Sequence, residues 1–166
     1  MKEKIYFIPG LMTNERLWSR VLPKLESDYE IVHLSIPRST NFDEINKILF
    51  ENIKDEKVNL LGFSLGGYIA SYFAIKFPFR VKRLFMLSST PAKTSDIELA
   101  RRREKLEFAK ISNDISLDIK KAKTLVEEQN RDDIELLEII VTMFNEMGKD
   151  EFISQLESTF NREDLS

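Results

Sequence analysis

Val58-Asn59-Leu60-Leu61-Gly62-Phe63-Ser64-Leu65-Gly66-Gly67-Tyr68 is the stretch that decides how this chain folds. An apolar strand runs into Gly62-x-Ser64-x-Gly66, and Ile69, Tyr72, Phe73 and Phe77 then recur at helical spacing as far as Phe77-Pro78. Gly-x-Ser-x-Gly alone is a weak signal. Lodged between a buried strand and a helix it reads as a nucleophile elbow, a tight strained turn that lifts a serine hydroxyl above a sheet. The residues two before and two after Ser64 come so close that a Cβ would clash, which accounts for Gly62 and Gly66. Ser64 would also sit at a helix N-terminus, where unpaired amides favour negative charge.

Working outward, Lys4–Ile8, Glu30–Ser35, Lys57–Leu61 and Lys82–Leu87 read as strands. Between them Trp18, Val21, Leu22 and Leu25 fall at helical spacing, as do Ile45, Ile48, Leu49 and Ile53. Such alternation with long crossovers predicts an α/β fold, a parallel sheet with helices on both faces. Ligands then belong at the carboxyl ends of the strands. All five prolines and four of the five glycines lie before Ala92, so the remainder should be almost entirely helical. Ser95-Asp96-Ile97-Glu98 predicts a capping box opening a helix to about Ile111, with further helical segments near Leu117–Gln129, Asp132–Met147 and Asp150–Phe160. Gly148 is placed to end the third as a left-handed cap. The expected organisation is a core over residues 1–92, an all-helical segment over 93–161 and, over 162–166, the start of a further stretch of core.

Composition excludes several chemistries. With no Cys, a thiol nucleophile, a Cys-ligated zinc and a disulfide scaffold are impossible. His33 is the single histidine, so no site can use two imidazoles of this chain. A net charge of -3 argues against a nucleic-acid partner, because phosphate binding wants clustered positive charge. Arg101-Arg102-Arg103 reads as the solvated face of a helix. No apolar run approaches the roughly 20 residues of a membrane span. The opening Met1–Met12 stretch lacks a small-residue cleavage site and reads as a strand, so a cytoplasmic location is the expectation.

Ile5-Tyr6-Phe7-Ile8-Pro9-Gly10-Leu11-Met12, a strand feeding a Gly loop and a helix bearing Trp18, joins the Ser64 elbow in a pattern that resembles the α/β-hydrolase superfamily. The similarity looks closest to its small esterase-like members. The resemblance implies a strand order of 4-3-5-6 in the family's strand numbering. It also implies Ser64 as nucleophile, the Leu11 and Leu65 amides as oxyanion donors, and no cofactor or metal. Many relatives carry His-Gly where this chain has Pro9-Gly10, a change that bears on loop shape and leaves the backbone donor available. Gly62, Phe63, Gly66 and Gly67 would shape the elbow. Met12, Trp18 and Tyr68 are candidates to line an acyl pocket, though large apolar side chains equally serve a core. The implied substrate is a small carboxylic ester or thioester.

The family's order is Ser, then Asp or Glu, then His. No His follows Ser64, and His33 lies within a strand, where it is expected to be structural and under the sheet's apolar covering. Asp96, the conceivable acid, belongs to the capping box. Triad acid and base are thus not found in the chain, which ends at Asn161–Ser166 where the family's next strand should begin. The expectation is a truncated α/β-hydrolase fold, catalytically incomplete alone, with two strand-loop-helix units of about 50–70 residues absent. The alternative is a non-catalytic binding module that retains the pocket. Strand 82–87 would be left as an apolar edge and is a candidate for self-association.

Overall fold

The structure is a computed structural model and describes residues 2–166. Strands β1 (Glu3–Ile8), β2 (Tyr29–His33), β3 (Val58–Phe63) and β4 (Val81–Leu87) form one parallel sheet in the order β2-β1-β3-β4. That is the order the resemblance implies. β1 lies at the centre, with Phe7 opposite both His33 of β2 and Leu61 of β3.

Central parallel strands are covered on both faces, and β1 shows why its run is so apolar. Tyr6 and Ile8 point into a core with Phe42, Ile45 and Leu49 from helix α2 (Phe42–Asn52) and Tyr68, Ile69 and Phe73 from helix α3 (Leu65–Lys76). In this chain order the four-residue α1 (Leu22–Leu25) precedes α2. On the opposite face Phe7 meets Trp18 edge to face, ring centroids 4.8 Å apart. Asn41 caps α2 by accepting from the amides of Asp43 and Glu44. The helical period expected around Trp18 resolves into a 3-10 turn, Glu15–Trp18, followed by α1.

The second half is helical, with two departures from expectation. Helix α4 (Asp96–Ile111) begins at Ser95, whose hydroxyl accepts from the Glu98 amide, but Glu98 turns forward to Arg102 instead of back to Ser95. Only half of the capping box forms. The stretch 117–129 yields α5 (Ile119–Ala122) and two 3-10 turns instead of a long helix. Ala122 is its one buried residue, too little packing to sustain more helix. The last two expected helices are one, α6 (Ile134–Ser158), kinked at Gly148. There φ is 76° and ψ −179°, so Gly148 supplies the positive φ of a cap, yet the helix resumes beyond it. No helix among the described residues is long and apolar enough to cross a membrane.

Ion pairs tie α6 to the loop after β1. Arg16 bonds Glu146, and Arg20 bonds Asp133 through both guanidinium nitrogens at 2.5 and 2.8 Å. The Arg20 bond, helped by the Leu136 amide that Asp133 caps, holds the Asp133 carboxyl down at about 2. A carboxyl depressed in the folded state stabilises fully above its ordinary range, and this contribution disappears as pH falls from about 4 toward 2. In circular dichroism melts, Arg20→Ala is therefore expected to be less stable than the parent at pH 6, with the gap closing as pH falls through about 2. A gap independent of pH would refute the pairing.

Candidate active site

Ser64 occupies the turn between β3 and α3 with φ 51° and ψ −114°, backbone that a residue with a side chain adopts only under constraint. The constraint is visible. Its amide donates to the Leu87 carbonyl at the end of β4 (2.9 Å), and its carbonyl accepts from the Ser89 hydroxyl (2.7 Å) and the Gly67 amide (3.0 Å). Serine at a helix start usually spends its hydroxyl on the cap. Here the Ser64 hydroxyl makes no such bond and stays available.

The two glycines of the motif answer to space. A Cβ on Gly62 would lie 2.3 Å from the Gly66 carbonyl oxygen, and one on Gly66 would lie 2.2 Å from the Pro9 carbonyl oxygen. The second contact joins the elbow to the loop after β1, so the two sequence elements meet in space. In that loop Met12 has φ 56°, and its amide donates to the buried Gln155 side chain of α6 at 2.7 Å. Gln155 in turn donates to Glu151, which pairs with Arg38. The loop is thereby clamped from the helical half.

A cleft of about 210 Å³ opens at Ser64. Its floor is Leu11, Ser64 and Leu65; its walls are Glu98, Arg102 and Lys105 of α4, Phe152 and Leu156 of α6, and Thr159 and Arg162 beyond. Neither the Leu11 nor the Leu65 amide has a hydrogen-bond partner among the described residues. Leu11 and Leu65 line the same cleft as Ser64, which opens at the positive end of α3. Arg162 stacks on Tyr68, its guanidinium carbon 4.2 Å from the ring centroid, and donates to the carbonyls of Thr90 and Ala92. Burial pulls its pKa down and pushes that of the Tyr68 phenol up.

The other residues singled out in the sequence lie elsewhere. Tyr68 is wholly buried in the core, Met12 and Trp18 are each 4% exposed, and none of the three lines the Ser64 cleft. Trp18 instead borders a second hollow with His33, Phe7 and Glu151. His33 is exposed there, contrary to the expectation of cover, because β2 is an edge strand and its last residue projects past the sheet's packed helices. Phe63 meets Trp18 edge to face and Gly67 packs on Ser89. Asp96 is an exposed first-turn residue of α4. Sequence reasoning missed Ser89, Gln155, Lys105 and Arg162. The first could have been found from its place just past the carboxyl end of a strand; the others are set by how α4 and α6 pack.

A strained serine between a parallel strand and a helix, with a Gly loop from the neighbouring strand against it, defines a class. The family model described as the alpha/beta hydrolase fold matches residues 4–111, and the chain belongs to that family. It is similar to a pimeloyl-[acyl-carrier protein] methyl ester esterase of Legionella pneumophila (strain Lens), 31% identical over 113 residues, covering 65% of this chain and 46% of that protein. The enzyme of the same name from Yersinia enterocolitica is 26% identical over 152 residues, covering 82% and 58%. The chain therefore spans about half the length of these curated relatives. Among solved structures, a hydrolase from Pseudomonas aeruginosa PA01 superposes with a TM-score of 0.79 at 15% identity, covering 98% of this chain and 65% of that one. The enol-lactonase from Burkholderia xenovorans LB400 gives 0.78 at 14%, covering 99% and 67%. These two likenesses establish the fold.

Proposed function

We propose that this chain carries the nucleophile, oxyanion donors and roof of a serine hydrolase acting on a carboxylic ester or thioester. The observation that supports it most is the Ser64 backbone at φ 51°, with its hydroxyl uncommitted as a cap and with Leu11 and Leu65, whose amides are unbonded, lining the same cleft. In this reading residues 1–92 are the core, and 93–161 are the cap that walls the cleft.

The Ser64 oxygen attacks the carbonyl carbon as its proton passes to a base. The carbonyl oxygen becomes an oxyanion received by the two amides, which are already oriented and so need no reorganisation. Collapse expels the alcohol or thiol, leaving an acyl group on Ser64 that water then hydrolyses. His33 borders the other hollow and not the Ser64 cleft, so the base in this reading is supplied from outside residues 1–166. The test is covalent labelling of the protein made from its full coding sequence. A fluorophosphonate should add its mass to the Ser64 peptide, and Ser64→Ala should abolish the adduct. Failure to label folded protein would leave a binding module as the better reading.

The exposed edge belongs to the same picture. Phe85 and Leu87 of β4 are 51% and 48% exposed, and the strand's outer backbone is unpaired within the sheet. Sedimentation of the 166-residue chain should show concentration-dependent self-association that Phe85→Lys weakens. A monomer at every concentration would remove this part of the proposal.

A further inference from the structure

We infer that the Ser64 cleft takes esters bearing a second, anionic group, a carboxylate or phosphate held by Lys105 and Arg162. The ester rests on the hydrolase reading, whereas the anion is inferred from the cleft itself.

Four ionisable side chains line the cleft, and they are unbalanced. Glu98 is matched by Arg102 of the same helix, 2.9 Å away. Lys105 and Arg162 have no carboxylate partner among the described residues. Two uncompensated cations therefore share a cleft of about 210 Å³ with the amide-rich start of α3.

Arg162 is also costly where it stands. Burial and the nearby charge of Arg102 both disfavour its charged form, and its Nε is buried with no partner. Its bonds to the Thr90 and Ala92 carbonyls and its stacking on Tyr68 hold the guanidinium in place against the cleft. A fixed, partly desolvated guanidinium is preorganised to receive an oxyanion. Lys105, one turn beyond Arg102, is exposed and carries a longer, freer charge to the same cleft. The uncharged lining of the cleft beside Ser64 is mostly apolar, from Leu11, Leu65, Phe152 and Leu156, with Thr159. The ligand that matches has an ester at one end, a short hydrocarbon spacer and an oxyanion at the other. A cleft of about 210 Å³ sets it as a small molecule.

Calorimetric titration of the 166-residue chain tests this without requiring turnover. Monomethyl glutarate should bind at least fivefold more tightly than dimethyl glutarate. Lys105→Glu, an exposed change that leaves the fold intact, should weaken the half-ester about tenfold and leave the diester within twofold. The phosphonate counterpart, methyl 4-phosphonobutanoate, separates the sources: tighter binding than the half-ester points to a phosphate group, and weaker binding to a carboxylate. Equal binding of the two esters, or indifference to Lys105→Glu, overturns the inference. Selective binding of the half-ester without fluorophosphonate labelling would keep the anion site and discard the hydrolase reading; labelling without selectivity would do the reverse.

Discussion

Gly66→Ala is expected to destabilise the protein by about 4 kcal/mol or more, within the exceptional range of point mutations. The new methyl carbon would lie 2.2 Å from the Pro9 carbonyl oxygen and 2.4 Å from that of Ile8. Both are backbone atoms at the end of β1, which is hydrogen-bonded on one side to β2 and on the other to β3. Nothing there can retreat without breaking the sheet. Helix propensity makes the opposite forecast, because Gly66 lies in the first turn of α3 and alanine is favoured in helices by about 1 kcal/mol. The two effects differ in sign, so urea denaturation decides between them. A variant as stable as the parent would mean that β1 and α3 are not in the contact described.

Tyr68→Ala is expected to cost about 3–5 kcal/mol, as for other large buried aromatics. The ring is wholly buried, 4.8 Å centroid to centroid from Phe42, with the Arg162 guanidinium above it. Its hydroxyl accepts from the Glu163 amide (2.8 Å) and donates to the Glu163 carbonyl (3.1 Å), fastening the tail to α3. Tyr68→Phe keeps the packing and loses only these bonds, at about 1 kcal/mol, because Glu163 is exposed and water can replace the hydroxyl. The Phe variant should nonetheless free residues 162–166 to proteolysis well below the unfolding temperature. Equal loss in the two variants would contradict this division between ring and hydroxyl.

The core was legible because its devices are local and steric. Gly62 and Gly66 announce a close approach, alternation announces a parallel sheet, and apolar spacing places α2 and α3 within a few residues. The strand order came from the family resemblance, since no local pattern specifies which strand lies beside which. The second half was harder. The apolar residues of 117–129 suggested a helix that tertiary packing did not support, and Gly148 looked like an end where the chain only bends. His33 looked covered because a strand's neighbours cannot be counted from its own residues. For the site, Ser64 and its glycines could be read directly, whereas the cleft's charge could not. Arg102 belongs to a basic run that resembles any solvated helix face, and it borders a cleft whose walls come from both α4 and α6, two helices that pack together.

The contrast between floor and walls of the cleft bears on how such a protein could change over generations. Its floor is backbone pressed on backbone, at Gly62, Gly66 and the loop held by Gln155, so almost any substitution there is removed by loss of folding before it can alter chemistry. Lys105 and its neighbours on the outer turns of α4 are exposed and can be exchanged at little cost to stability. On the proposed hydrolase reading, selection for a different substrate would act on the walls while the chemistry at Ser64 stayed as it is. On that reading, reaction and specificity would be carried by parts of the chain that tolerate substitution to different degrees.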